Sequence, residues 1–475
     1  MHLVQIGFMQ NASTLEFDYV VIGGGSAGYA AARTAREHCQ RVAIIDGAPE
    51  LAGLCILRGC MPSKTLIYTA EMQHHARHAS TYGLNVTTGR ADMKRVRARK
   101  RAIIEDFADY RRQQLESERF TLLRARAEFV DSHTVRLSDG RTVRSKFFLI
   151  ATGSVVAQPA VNGLDNPDIW TSDDVLDLDA LPQSVIVLGG GIVACELAQY
   201  LSRMDVVVTQ IQRSPHVLKD FPEAASDTVA KVFRNEGIEL FTGTKLLGIR
   251  GNAKNGFSVA FEHGGKRLAR SGERVLNALG RVPATTGLGL DKAGVELLRS
   301  GHIKCNEFQQ STCSHIYAGG DCAGPHEIVH LAILQGETAA RHAFGFKVTP
   351  YNEDHLVAVV FTDPQVAMAG RSAKQLKADG IDFVTASYPF DDHGKSILME
   401  AKAGYVAIHA ERNTGKVVGA ECVGKEGGEL VHALAVAITV GATVKDLLKV
   451  QWYHPTLSEI WSYPLEAIEE KLSVN

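Results

Sequence analysis

The chain has 475 residues, 45% hydrophobic and 22% charged, with a formal net charge of −2 at pH 7. That length exceeds one ordinary core and suggests about three domains, while the balanced charge gives no basic field that would draw the protein to nucleic acid or anionic lipid. Eight cysteines are too sparse for a secreted disulfide scaffold.

Met1–Glu16 lacks the basic stretch and small-residue cleavage site of a signal peptide. No run of about 18 apolar residues could span a bilayer. The chain reads as cytoplasmic, with neither a nucleic acid nor a membrane as partner. The first recognisable unit is Asp18–Ile45, an apolar strand, a Gly-rich turn, an Ala-rich helix and a second apolar strand. This is a βαβ unit. Gly23, Gly25 and Gly28 satisfy GxGxxG at the strand-to-helix turn, where backbone N–H groups can approach a pyrophosphate and the helix N-terminus favours its charge. Asp46 follows the second strand, where a carboxylate can bind ribose hydroxyls.

Next comes Gly53–Lys64, GLCILRGCMPSK. Cys55 and Cys60 stand five apart, and Pro62 and Ser63 suggest a loop that opens a helix. A helix N-terminus and a neighbouring cation such as Arg58 both lower a thiol pKa. With no second Cys or His pair at ligand spacing nearby, a metal reading is poor, so the pair reads as redox-active. The other six cysteines, Cys39, Cys195, Cys305, Cys313, Cys322 and Cys422, read as reduced core residues. The basic run Lys94–Arg101 reads as the solvated face of a helix.

Gln158–Pro182, rich in Pro, Asn and Asp, reads as a linker. A second βαβ unit follows at Ser184–Thr209, with its cradle at Gly189, Gly191 and Ala194. No acid ends its second strand; Thr209 and Gln210 stand there, followed by Gln212, Arg213 and Lys219. An acid would repel a 2′-phosphate and these cations would welcome it, so NADPH is favoured over NADH. Ile316–Asp321 is a further strand and turn. From about residue 351 the pattern changes to strands at Leu356–Phe361, Phe383–Pro389 and Val417–Val423, with helices at Gly428–Val440 and Thr443–Lys449. Near the end, His454 and Glu459 lie five apart, with Pro455 fixing the turn. Disulfide exchange releases a thiolate that needs a proton from a group titrating near neutral pH, and a carboxylate is the usual partner that orients such an imidazole.

The Gly53–Lys64 segment resembles the redox motif of the class I pyridine nucleotide–disulfide oxidoreductases, usually GGTCLNVGCIPSK, a family that includes dihydrolipoamide dehydrogenase and glutathione, mycothione and mercuric reductases. The likeness covers nearly the whole chain. It takes in both cradles, Ala151–Gly153 (ATG), Gly280–Pro283 (GRVP), Gly319–Asp321 (GGD), Phe361–Pro364 (FTDP) and His454–Glu459 (HPTLSE). The resemblance implies an α/β fold with two Rossmann-like dinucleotide-binding domains, for FAD and NAD(P), plus a C-terminal α+β dimerisation domain. Residues 1–160 and 281–350 would form the two parts of the FAD-binding domain. Residues 161–280 would bind NAD(P)H and 351–475 would dimerise.

Roles follow from the same resemblance. Gly23, Gly25, Gly28 and Asp46 would hold the ADP half of FAD and Asp321 its ribityl chain, with further cofactor contacts at Ala127, Thr152, Gly153, Gly280 and Arg281. Cys60 would face the flavin and Cys55 would exchange with substrate. Lys64 would sit beside the flavin, paired with Glu196. Gly189, Gly191 and Ala194 would hold NADPH, with Arg213 and Lys219 on its 2′-phosphate. His454 and Glu459 would complete the other subunit's site in a homodimer. Leu57 and Arg58 replace the usual Asn-Val, Asp46 the usual Glu, and Ala284 the Asn of GRxPN.

The expected activity is that of an FAD-dependent NAD(P)H:disulfide oxidoreductase acting on sulfur groups, with a role in cell redox homeostasis. The C-terminal stretch Trp461–Asn475 has no cysteine, unlike the redox tails of mercuric reductase and the large thioredoxin reductases, and the soluble transhydrogenases lack one redox cysteine. HPTLSE points to a dihydrolipoamide dehydrogenase-like enzyme acting on a small-molecule or lipoyl disulfide. Arg213, Lys219 and Arg33, which falls near a substrate-carboxylate arginine, point to a glutathione or other small-thiol reductase. A quinone acceptor is a third reading. A non-catalytic flavoprotein, serving as redox sensor or electron carrier, is the alternative of another class.

Overall fold

The computed structural model describes residues 14–473, so most of Met1–Glu16 lies outside the described residues. Two compact units emerge, each built from separated stretches of chain. The first comprises residues up to Met61, Arg101–Val155 and Arg281–Tyr351; the second comprises Pro62–Lys100, Val156–Gly280 and Asn352 onward.

The first unit is organised by a seven-stranded sheet. Its strands run in the order Thr121–Leu123, Val42–Ile45, Leu15–Ile22, Thr142–Ile150, Thr134–Leu137 and Ala127–Asp131, and Ile316–Ala318 also pairs with Thr142–Ile150. The strands beside Leu15–Ile22 are parallel to it, and a strand buried on both faces calls for a continuous apolar run, which Tyr19–Ile22 supplies. Alternation divides that run between two cores. Val20 and Ile22 pack with Phe148 and Ile316 on one face. Tyr19 and Val21 pack with Ala27, Ala31 and Ala35 of helix Ser26–Ala35 on the other. That helix lies against Val329–Ala343 so closely that a Cβ on Gly336 would strike the Ala27 carbonyl.

The second unit holds a four-stranded parallel sheet in the order Glu239–Phe241, Val207–Ile211, Ser184–Leu188 and Arg274–Asn277. The same division recurs, with Val185 and Val187 in one core and Ile186 and Leu188 in the other. Beside it is a three-stranded antiparallel sheet, Lys245–Asn252, Gly256–His263 and Lys266–Gly272. The C-terminal stretch forms a five-stranded antiparallel sheet from Val357–Val360, Gln365–Gly370, Val417–Gly424, Tyr405–Glu411 and Phe383–Pro389. Helices Gly427–Val440 and Ser462–Ser473 cover it, around a buried Trp461.

Three local expectations change. The stretch Gln158–Pro182 is not all linker, because Thr171 and Asp174 form a capping box on a short helix at Ser172–Val175. Within Met93–Leu115 the basic run is not uniformly solvated. Lys100 is only 7% exposed and pairs with Asp177 at 2.9 Å, while Arg97 pairs with Asp177 and Asp179. Of the six scattered cysteines only Cys195, Cys322 and Cys422 are fully buried. Among the described residues no helix is long and apolar enough to cross a membrane.

Candidate active site

In the first unit the turn after Leu15–Ile22 is forced by glycine. Gly23 has φ +108° and a Cβ there would strike the Ala151 carbonyl; one on Gly28 would strike the Gly23 carbonyl. Around Gly25, by contrast, the space is open, and no side chain caps the helix that begins at Ser26. Its first N–H groups therefore remain for an anionic ligand. Asp46 is 9% exposed and accepts from Gly24 N and Ala48 N, both at 2.8 Å. Arg111, which the sequence did not single out, lies over the Tyr29 ring with its Nε and Nη1 buried and without a hydrogen-bond partner among the described residues. Burial lowers its pKa, yet a guanidinium stays charged, so this corner holds a cation with two donors to offer. Open backbone donors, a fixed carboxylate and a spare positive charge fit a dinucleotide such as FAD.

Asp321 is wired to the GRVP segment. It accepts from Ser154 Oγ at 2.6 Å, and Ser154 Oγ accepts from Arg281 Nε at 2.7 Å. Ser154 carried no signal in the sequence. Thr152 donates to the Ala284 carbonyl, and a Cβ on Gly153, at φ +70°, would meet open space. Ala127 is packed in the core of this unit. Gly280 lies at φ +119°, its carbonyl accepting from Ala157 N. Arg33 is paired with Glu337 at 2.5 Å.

The second cradle repeats the design with different chemistry. Gly189 has φ +121° beside the Ala278 carbonyl, and around Gly191, at the uncapped start of helix Ile192–Arg203, the space is again open. Ala194 is fully buried. The strand Val207–Ile211 runs two residues past the expected end at Thr209, because its pairing with Glu239–Phe241 extends to Ile211. The residue answering to Asp46 is therefore Gln212, whose side chain lies against Gly190, while Gln210 is buried and donates to the Gly189 carbonyl at 3.0 Å. Arg213 and Lys219 are exposed. Nearby in the chain, His216 stands 3.3 Å from Glu223 and 3.4 Å from Asp227.

The redox segment is more ordered than a loop. Leu54–Arg58 forms one helical turn, Gly59 breaks it at φ −128° and ψ −118°, and Cys60 opens the 18-residue helix Cys60–Arg77. Pro62 is accommodated because the first N–H groups of a helix have no intrahelical partner. Both cysteines are half-buried. Cys60 thus stands at a helix start, where the dipole favours negative charge.

One turn along the same helix, Lys64 Nζ lies 2.7 Å from Glu196 and 4.7 Å above the Phe361 ring. Glu196 is 4% exposed and its other oxygen accepts from Phe361 N at 2.9 Å. The pair has further polar support from the same helix. Gln199 exchanges two 2.7 Å hydrogen bonds with the Asp363 backbone, and Arg203 reaches the Asp363 carboxylate at 2.9 Å and Glu236 at 2.5 Å. Positions 196, 199 and 203 share one helix face; three polar residues there, amid apolar neighbours, were a legible signal.

In the C-terminal part, His454 Nδ1 lies 2.9 Å from Glu459 Oε1. The Glu459 side chain is 8% exposed, but the imidazole side chain is 78% exposed. Thr456 and Glu459 form a capping box that seats the carboxylate at the start of the turn Leu457–Trp461. A second histidine, His393, lies behind it and went unremarked in the sequence.

Comparison with known proteins accords with this geometry. Residues 17–336 match the family described as pyridine nucleotide-disulphide oxidoreductase, and residues 356–464 match its dimerisation domain. A mercuric reductase of Staphylococcus aureus is 30% identical over 433 residues, covering 91% of this chain and 79% of that protein. A dihydrolipoyl dehydrogenase of Chlamydia pneumoniae is also 30% identical, over 452 residues, covering 94% and 96%. The crystal structure of LpdA from Mycobacterium tuberculosis superimposes with a TM-score of 0.84 at 28% identity, covering 95% of this chain and 99% of that one. The family's cofactors are FAD and a nicotinamide nucleotide, and its C-terminal domain supports a homodimer. With these matches spanning both units, the chain belongs to the class I pyridine nucleotide–disulfide oxidoreductases and is an FAD-dependent disulfide oxidoreductase.

Proposed function

We propose that the chain is a cytoplasmic, NADPH-preferring, dihydrolipoamide dehydrogenase-like enzyme that moves electrons between nicotinamide, FAD, the Cys55–Cys60 pair and a substrate disulfide or dithiol. The observation that carries this reading is Cys60 at the start of an 18-residue helix, with Lys64 one turn along it and held by the buried Glu196. FAD, when bound, supplies the two-electron relay between a nicotinamide hydride and the cysteine pair. The ammonium of Lys64 favours the negative charge that reduction brings, and Glu196 fixes where that ammonium points.

In the reductive direction the Cys55 thiolate attacks one sulfur of the substrate disulfide. The substrate S–S bond breaks, a mixed disulfide forms on Cys55, and the departing thiolate takes a proton from His454 of the partner subunit. Cys60 thiolate then displaces the second substrate sulfur, which the same imidazole protonates after recharging from water. The Cys55–Cys60 bond closes, and two electrons have passed to the substrate. Run backwards, the steps oxidise a dithiol. The His454–Glu459 pair favours a disulfide over a metal ion as acceptor, because a leaving thiolate is what needs a proton. Arg33 is less suited to a substrate carboxylate while it pairs with Glu337. NADPH preference rests on the neutral Gln212 and the exposed Arg213 and Lys219 that follow it.

Cys55→Ser tests the assignment. The variant is expected to lose turnover with lipoamide, oxidised glutathione and other disulfides while NADPH still reduces its flavin under anaerobic conditions. Disulfide reduction at the wild-type rate would remove Cys55 from the mechanism. A wild-type protein that oxidises NADPH with none of these disulfides or with quinones would instead be an electron carrier or sensor.

A further inference from the structure

His393 has a side chain with no exposure to solvent. Its Nδ1 meets Ser396 Oγ at 2.8 Å, and Ser396 is itself fully buried. Among the described residues its Nε2 is buried without a partner within hydrogen-bond distance, and it stands 3.7 Å from Glu459 Oε1. That is the oxygen which His454 Nδ1 approaches at 2.9 Å, while Oε2 is turned toward Thr456 N at 3.5 Å. A buried polar atom without a partner is destabilising, so its place beside a buried carboxylate calls for an explanation. Among the described residues, few titratable groups face the imidazole. Glu459 and His454 face it from one segment, and Tyr463 meets it edge-on from the C-terminal helix at 6.2 Å. Tyr388 stacks on Tyr463 and donates to Asp392, the residue before His393.

We propose that His393 is a positioning residue for the His454–Glu459 dyad, its Nε2–H serving as a second donor aimed at Glu459 Oε1. Ser396 sets the tautomer: with its hydroxyl donating to Nδ1, the ring proton sits on Nε2. Burial lowers the pKa of His393, so the group acts as a neutral dipole and not as a competing charge. A donor aimed at Oε1 selects the oxygen that orients His454 and draws off part of its negative charge, weakening the pull on the imidazole proton. The inference rests on the proposed role of His454 for its catalytic consequence, but not for its electrostatic one.

The test uses the full-length holoenzyme with His393→Phe, which keeps a ring without the donor, and His393→Gln, which restores an amide N–H. Folding is checked by flavin content and melting temperature. In ¹³C-histidine spectra the titration midpoint of His454 is expected to rise by about 0.5–1 pH unit in the Phe variant and to return toward wild type with Gln. The rate with an alkyl disulfide, lipoamide or oxidised glutathione, should fall severalfold. The rate with the aromatic disulfide 5,5′-dithiobis(2-nitrobenzoate), whose leaving thiolate needs no proton, should hold. An unmoved midpoint in both variants overturns the proposal, as does an equal loss with both classes of disulfide. A moved midpoint with both rates unchanged supports the role of His393 and instead removes His454 from the proposed reaction.

Discussion

In the first βαβ unit a carboxylate, Asp46, takes the Gly24 backbone N–H at 2.8 Å; in the second, Gln212 lies against Gly190 and carries no charge. The turns themselves are alike. Gly23 and Gly189 share a positive φ and a close approach to a carbonyl of the neighbouring strand end, because the strand-to-helix reversal demands it. At the third glycine they diverge. A Cβ on Gly28 would strike the Gly23 carbonyl, whereas Ala194 carries one fully buried, and the Gly189 carbonyl is engaged by the Gln210 amide. The shared turn has the form of a dinucleotide cradle. On the proposed reading, the residue after the second strand sets which dinucleotide each cradle takes, and the tightness of the helix start sets how firmly.

Breaking the tighter cradle should have the largest effect. Gly28→Val is expected to weaken FAD binding roughly 10–100-fold through overpacking against Gly23, read as flavin retained per chain after gel filtration. Retention at the wild-type level would mean the two helix starts are interchangeable. Next, Gln212→Asp places a charge where Asp46 has one and should lower the NADPH-to-NADH ratio of kcat/KM by about 10-fold or more. Arg213→Ala should lower the same ratio severalfold, less because the side chain is exposed and screened. A ratio that ignores both changes would move the 2′-phosphate elsewhere. The smallest effect belongs to Ala194→Gly. It should cost no more than about 1 kcal/mol in thermal stability and leave both nucleotide constants unchanged, and a loss like that of Gly28→Val would erase the contrast.

Much of this is legible in the sequence. Both βαβ units, the cysteine segment and the His454–Glu459 spacing follow from local patterns of glycine, apolar alternation and turn residues. The misreadings were local too. The second strand extends to Ile211 because its neighbour Glu239–Phe241 pairs that far, and Lys100 is buried because Asp177 lies within 2.9 Å. Neither partner is near in the chain.

Where the chain must turn, and which residues can do chemistry there, is written in its local pattern, because only glycine readily accepts the backbone of Gly23 and only cysteine can exchange with a disulfide. Which side chains serve those positions follows from packing. Glu196 meets Lys64 across 132 positions, Arg111 lies over the Tyr29 ring, and His393 stands behind Glu459. Such meetings depend on how sheets and helices pack, and packing is a sum over many distant contacts that no local pattern records.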